Sequence, residues 1–213
     1  LSDIRDKTVV AMELPKCKKV ALTLPTTEAT FTKEGNRWTY ADGTPAERAR
    51  VEELLRAVRD LKAIRFEDAD SLIGISTAEP RATITITQEG QASPTTLRVL
   101  GTTPSERNAY CATSADDSIA IVAEESVATF LAEPITYRDR GMITLNRAHV
   151  KQLEIEQNAQ TVELTKTGNT WTMAAPVVAK ADPDAVRTLI GDLTALRAKR
   201  VVSQGDAAEF GFN

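Results

Sequence analysis

The sequence predicts an α+β protein, built from repeated units of antiparallel β-strands and hairpins packed against an amphipathic helix. Three observations carry that expectation. The chain has two tryptophans, and each sits in a near-identical string, "KEGNRWTY" at 33–40 and "KTGNTWTM" at 166–173. Runs that alternate apolar and polar residues surround both strings, the pattern of half-buried strands. A stripe of apolar residues at three- and four-residue steps follows each, the pattern of an amphipathic helix.

The echo extends well beyond the tryptophans. At an offset of 133 residues, Arg5-Asp6 falls on Arg138-Asp139 and Lys18 on Lys151. Val10, Val20, Leu22 and Phe31 fall on Ile143, Leu153, Ile155 and Leu164. Thr32, Lys33, Gly35, Asn36, Trp38 and Thr39 recur unchanged as Thr165, Lys166, Gly168, Asn169, Trp171 and Thr172. After Tyr40 the offset grows to 135, placing Val51, Leu54, Leu61, Ala63 and Arg65 on Val186, Leu189, Leu196, Ala198 and Arg200. It reaches 137 at Gly74 and Gly211. Offsets that change only at loops are the signature of duplicated units with tolerated insertions. The expected organisation is one complete unit over 1–136 and a partial second copy over 137–213, which holds only the first half of the repeat.

Taken in order, "KKVALTL" puts Val20, Leu22 and Leu24 on one face of a strand. "EATFTKE" and "RWTY" flank Gly35-Asn36 as a hairpin, repeated in "QTVELTKTGNTWTM". A helix over 46–65 follows from Val51, Leu54, Leu55, Val58, Leu61 and Ile64. Thr44, Pro45 and Glu47 read as its capping box, with proline at the first helical position. In the second copy Asp182-Pro183-Asp184 lies closer to the stripe of Val186, Leu189, Ile190, Leu193 and Leu196, so that helix is expected to start about one turn later. "RATITITQEG", "TTLRVLG", "NAYCATS" and "SIAIVA" are four further strands, and "EESVATFLAEP" is a short helix with Val127, Phe130 and Leu131 inward and Pro134 as its stop. These four strands have no counterpart in the second copy, which leaves an unpaired edge or uncovered face there unless it packs elsewhere.

Composition narrows function by exclusion. The 213 residues suit one large domain or two small ones, and a 42% hydrophobic content with only 5% aromatics makes the core mostly aliphatic. A net charge of −4 and a pI near 5.2 argue against nucleic-acid binding. No apolar run is long enough to span a bilayer, and Leu1-Ser2-Asp3 does not open a signal peptide. A start without Met and a finish at "EFGFN" make the sequence read as an excised piece.

Residues with chemical potential each have a plainer reading, and in each case it is the one favoured. His149 is the only histidine, aligned with Lys16, and reads as an exposed turn residue rather than a base or ligand. Cys17 and Cys111 are a pair in an oxidising compartment or, preferably, two buried thiols. Glu67, Asp68 and Asp70 bunch in "FEDADSLIG" but lack the ligand spacing of a calcium loop, and Asp116-Asp117 suits a turn. No nucleophile elbow, phosphate loop or dinucleotide fingerprint is present, and "GTTPSERN" at 101–108 reads as a plain loop. The basic residues of the first helix alternate with acids as a solvated face. The recurring Arg5-Asp6 and Arg138-Asp139 read as ion pairing or capping at a unit boundary. Trp38, Trp171 and Tyr110 are the candidate ligand-stacking rings, with core packing the plainer role for the two tryptophans. No catalytic, metal or cofactor residues are assigned.

In sequence, "IRDKTV", "KKVALTL", "GNRWTY" before a helix ending "LKAIRF", "LIGISTAEPRATITI", "YCATSADDSIAIVAEESVATFL" and the restart "YRDRGMITL" resemble the bacterial family of domain of unknown function 4340. The resemblance covers nearly the whole chain. It implies a membrane-tethered parent whose repeats lie outside the cytoplasm, with relatives tied to accessory parts of ABC-type transport and gliding-motility systems. The family supplies no established catalytic residues. This chain departs from the pattern in lacking an anchor and in ending mid-repeat. The expected function is a non-catalytic extracytoplasmic interaction or scaffold module of a membrane-associated, transport-linked assembly, with protein partners engaged through sheet edges and faces. The alternative is a ligand-binding module that holds a saccharide, peptide or lipid in a groove between the units. An enzyme is the third and weakest reading.

Overall fold

The computed structural model describes residues 5–72, 79–104 and 107–201, so the Gly74–Gly211 match and part of the 101–108 loop lie outside it. The architecture is α+β, and the chain divides into two compact units, the first running to Asp139 and the second over Arg140–Arg200. Among the described residues no helix is long and apolar enough to cross a membrane.

The first unit is a nine-stranded antiparallel sheet. In chain order its strands are β1 (Cys17–Thr23), β2 (Glu28–Glu34), β3 (Arg37–Tyr40), β4 (Pro45–Ala46), β5 (Arg65–Glu67), β6 (Ala82–Gln88), β7 (Thr95–Thr102), β8 (Asn108–Thr113) and β9 (Asp116–Ala123). They lie side by side as β4-β3-β2-β1-β6-β7-β8-β9-β5. The Gly35-Asn36 hairpin forms as expected, with Gly35 at φ 59° and Asn36 outside the left-handed region. Glycine first and a non-glycine second is the II′ pattern, which explains why the order is Gly-Asn rather than Asn-Gly. The two halves expected on either side of the helix are one continuous sheet, joined where Val20 pairs with Ile86 and Leu22 with Ile84.

Period two sorts the side chains. Val20, Leu22, Phe31, Trp38, Ile84, Ile86, Leu97 and Val99 share the inner face and are buried. Over them pack helix α1 (Arg48–Asp60), through Val51, Leu54, Leu55 and Val58, and a 3-10 helix at Glu124–Leu131, through Val127 and Phe130. Full burial of one such aliphatic side chain stabilises by about 1.5–3 kcal/mol. A smaller cluster of Leu100, Tyr110, Ala112, Ile119 and Ile121 forms apart from it.

Helix α1 is shorter than expected, and its capping box does not form. Asp42 takes both the backbone N–H and the hydroxyl of Thr44, at 2.9 and 2.6 Å, so Thr44 closes a turn instead. Pro45 and Ala46 then run as edge strand β4, where a missing N–H is harmless. Glu47 is the N-cap, without a side-chain cap bond. Ile64 falls beyond the helix, and its N–H donates to the carbonyl of Ile121 at 2.7 Å. Asp116 and Asp117 open strand β9 rather than form the turn, which is Ser114-Ala115.

The second unit repeats the element order of the first unit's opening. A four-stranded sheet holds β10 (Gln152–Gln157), β11 (Gln160–Thr167), β12 (Thr170–Ala175) and β13 (Ala179–Lys180) in that order, followed by α2 (Pro183–Ala195). Gly168 has the same φ of 59° as Gly35. Helix α2 begins at the position equivalent to the start of α1, not one turn later. Pro45 belongs to β4 and so never marked a helix start, whereas Asp182 does cap α2, accepting from the N–H of Asp184 at 2.8 Å, with Pro183 at the first position. The core of this unit is Leu164, Trp171, Val186 and Ile190, with Leu153, Val162 and Met173 against it.

Candidate functional site

The residues singled out from the sequence are dispersed. Trp38 and Trp171 are 2% and 6% exposed and belong to the cores of different units, while Tyr110, at 7%, sits in the small separate cluster. Each tryptophan lines a surface cleft, of about 310 Å³ with Lys33, Glu52 and Arg56, and about 560 Å³ with Arg147, Lys166 and Arg187. The Lys33 and Lys166 ammonium groups lie 5.8 and 5.9 Å from the two ring centroids, so the echo preserves even this contact.

The thiols are free and buried. Cys17 on β1 and Cys111 on β8 are three strand positions apart, roughly 14 Å at the usual spacing, beyond the reach of a disulfide. Burial raises the pKa of both, that of Cys111 to about 12 with Glu124 adding to the effect, so neither favours the thiolate a nucleophile needs. His149 is exposed at the end of a 3-10 turn, Arg147–His149, capped by the Asn146 side chain. Glu67 pairs with Arg65 at 2.6 Å, and Asp68 accepts from the N–H of Asp70. Among the described residues no three His, Cys, Asp or Glu side chains converge as a metal set.

The recurring arginines do form ion pairs. Arg5 bonds Asp116 and lies 3.7 Å from the centroid of the Phe66 ring. Arg138 donates to Thr44 at 2.7 Å and Asp42 at 3.3 Å and lies 4.5 Å from the centroid of Tyr40. Burial pushes the Tyr40 hydroxyl up to about 12, and that hydroxyl donates to the carbonyl of Pro134 at 2.7 Å. These contacts tie residues 134–138 to the hairpin end.

What remains distinctive is one sheet edge. Among the described residues strand β10 pairs with β11 alone, and no described strand pairs with the other side of its six residues. The two-residue turn after it, Asn158-Ala159, has φ 51° and 59°, a type I′ hairpin that closes on Gln157 and Gln160. The Lys166 N–H bonds the carbonyl of Lys151 at 2.8 Å, which fixes the same alternation. Residues 151, 153, 155 and 157 therefore point their backbone groups at β11, and Gln152, Glu154 and Glu156 point theirs outward. Ile155 is 36% exposed, whereas its counterpart Leu22 is fully buried with Ile84 of β6 beside it. On the opposite face Glu154 lies directly across from Glu163. Sequence reasoning raised an unpaired edge in this region but not this acidic juxtaposition, which needs the register that the Asn158-Ala159 turn imposes.

No curated protein and no solved structure matches the chain. One family model does, described as a domain of unknown function, and its match takes in strands β6–β9 of the first unit and the elements of the second. Because that match runs over residues 73–213, well over half of the sequence, the chain belongs to the DUF4340 family.

Proposed function

We propose that the chain is a non-catalytic interaction module that accepts an added β-strand on the open edge of β10. The observation that carries this is the six-residue edge with three outward-facing backbone N–H groups, with half-buried Leu153 and exposed Ile155 on its apolar face. Main-chain hydrogen bonds along such an edge supply affinity, and the alternate side chains supply selectivity. The first unit's own edges offer much less, since β4 has two residues, one of them Pro45, and β5 has three. The setting we propose is an extracytoplasmic, membrane-associated and transport-linked assembly. That setting rests on the family resemblance alone.

Glu154→Pro tests the edge. It removes one outward donor while leaving the β10–β11 ladder its own bonds. A partner retained from membrane extract by the wild-type chain should be lost by the variant, and equal retention would sink the reading. Fractionation of the parent protein tests the setting, and recovery in the cytoplasm would overturn it. The saccharide, peptide or lipid reading gains no support from the three aromatic rings, whose surfaces are taken up by packing.

A further inference from the structure

We infer that the Trp171 cleft of the second unit is a binding site for a phosphomonoester. The site does not depend on β10 accepting a strand.

Both units have this cleft, and the second has rebuilt it. In each it lies between a three-residue 3-10 turn, the hairpin lysine with its tryptophan, and the apolar stripe of the helix. The turns are Leu14–Lys16 and Arg147–His149, and they keep the offset of the hairpins. Lys33 recurs as Lys166, Trp38 as Trp171 and Leu55 as Ile190. Three positions change character: Leu14 gives way to Arg147, Glu52 to Arg187 and Arg56 to Gly191.

Each change acts on charge or on room. In the first unit Glu52 pairs with Arg48 at 2.6 Å and with Arg56 at 3.5 Å, so that cleft has a counter-ion of its own. The lining of the second cleft has no carboxylate. Arg147, Lys166 and Arg187 reach it from three elements, the turn, β11 and α2. The cleft is also larger, about 560 Å³ against about 310 Å³, where an arginine has become glycine. The Arg147 guanidinium lies over that glycine: a Cβ added at Gly191 would meet its Nη1 at 3.9 Å.

These cations are available to a ligand. Among the described residues no carboxylate pairs with Arg147 or Lys166. Arg187 bonds Asp184 through Nη1 alone, and both side chains are 75% exposed. So solvated a pair is weak and yields to a stronger anion.

Three cations in one cleft reverse the sign of a chain whose net charge is −4, which concentrates anions there. A lone carboxylate is satisfied by one arginine as a bidentate pair. A phosphomonoester has a charge of about −1.5 to −2 at pH 7 and three strong acceptor oxygens, enough to engage both guanidinium groups and Lys166 together. The remaining volume suits the organic part of a small ligand, with Trp171 and Ile190 as its apolar floor.

Calorimetric titration of the 213-residue chain with glycerol phosphate and with acetate tests the site. Glycerol phosphate should bind saturably, with amide shifts centred on Ala148, Lys166 and Arg187, and acetate should bind roughly tenfold more weakly. Arg147→Leu and Arg187→Glu restore the first unit's residues at exposed positions on separate elements. Each should weaken binding about tenfold with an unchanged circular dichroism spectrum. Gly191→Arg adds a cation but refills the cleft, and it too should weaken binding. Phosphatidylcholine vesicles with and without phosphatidic acid separate the two sources of a phosphomonoester. Retention by the phosphatidic acid vesicles without binding of glycerol phosphate would identify a lipid headgroup. The reverse would identify a soluble ester, and both results keep the phosphate chemistry. Binding of neither overturns the proposal, as does acetate binding equally well. Unchanged affinity in Arg147→Leu and Arg187→Glu also overturns it, and tighter binding by Gly191→Arg would reduce the effect to surface charge without a cleft.

Discussion

Strands β1–β4 with α1, and strands β10–β13 with α2, are the same arrangement of elements in two settings. Val20, Leu22 and Leu61 are buried, and Leu153, Ile155 and Leu196 are half-buried or exposed. Local order is the same in both: the hairpin glycines share one φ, the tryptophans are both buried, and the helices both have 13 residues. The difference comes from β6–β9 and residues 124–131, which complete the inner layer of the first unit. An apolar residue at a given position on a strand is therefore not core by virtue of its pattern. It becomes core when a neighbouring strand and a covering helix reach it.

The strongest way to break this comparison is to truncate the matched pair. Leu22→Ala should destabilise the first unit by about 3 kcal/mol, the range for a fully buried leucine. Ile155→Ala should destabilise the second by only about 1–2 kcal/mol, because that residue is already 36% exposed. The two tryptophans give each unit its own fluorescent reporter, so Trp171→Phe and Trp38→Phe backgrounds read the units separately in a denaturant titration. Equal losses at the two sites would mean that Ile155 is covered in solution.

A smaller effect should be the same in both units. Gly35→Ala and Gly168→Ala each force a side chain into the left-handed region, which costs about 1 kcal/mol. No heavy atom lies within 4 Å of the added Cβ at either site, so packing does not enter. Matched shifts in the two reporter backgrounds would confirm that the turn is a local device, indifferent to what covers the sheet. Unequal shifts would point to a difference between the turns themselves.

How far the sequence could be read follows the same division between local and distant causes. Strands β2 and β3 matched the expected residues because alternation ran into a clean two-residue turn. Strands of two or three residues, such as β4 and β5, are too short to show a period, and β5 finds its partner β9 more than fifty residues away. The start of α1 was misread because proline suits both a first helical turn and an edge strand, and the Asp42–Thr44 turn decided between them. At the β10 edge, the recurrence of the hairpin and helix was legible from the echo. The outward amides and the Glu154–Glu163 opposition were not, since both depend on hairpin register. The packing role of the tryptophans was legible because a ring repeated at one position beside one turn suggests a building block.

The smallest predicted effect concerns acid. Hydrogen bonds from the Thr44 side chain and backbone, and then the Arg138 guanidinium, lower the Asp42 pKa to about 2 from the ordinary 3.8. A carboxylate whose folded pKa is depressed contributes stability in full above its unfolded pKa, and that contribution is lost as pH falls towards the folded value. The window is therefore roughly pH 4 down to 2. The Asp42 side chain is 48% exposed, so solvent screens the interaction and the change should be slight, and Arg138 holds the same network from residues 134–138. Asp42→Asn should lower the first unit's unfolding midpoint at pH 6 and converge with wild type near pH 2, while the second unit's reporter stays unchanged at both. If the two proteins lose stability in parallel across that window, the Asp42–Thr44–Arg138 network is not what anchors residues 134–138. In that case the Tyr40–Pro134 hydrogen bond, the Glu47–Tyr137 and Pro45–Asp139 backbone bonds and the burial of Tyr137 hold the segment.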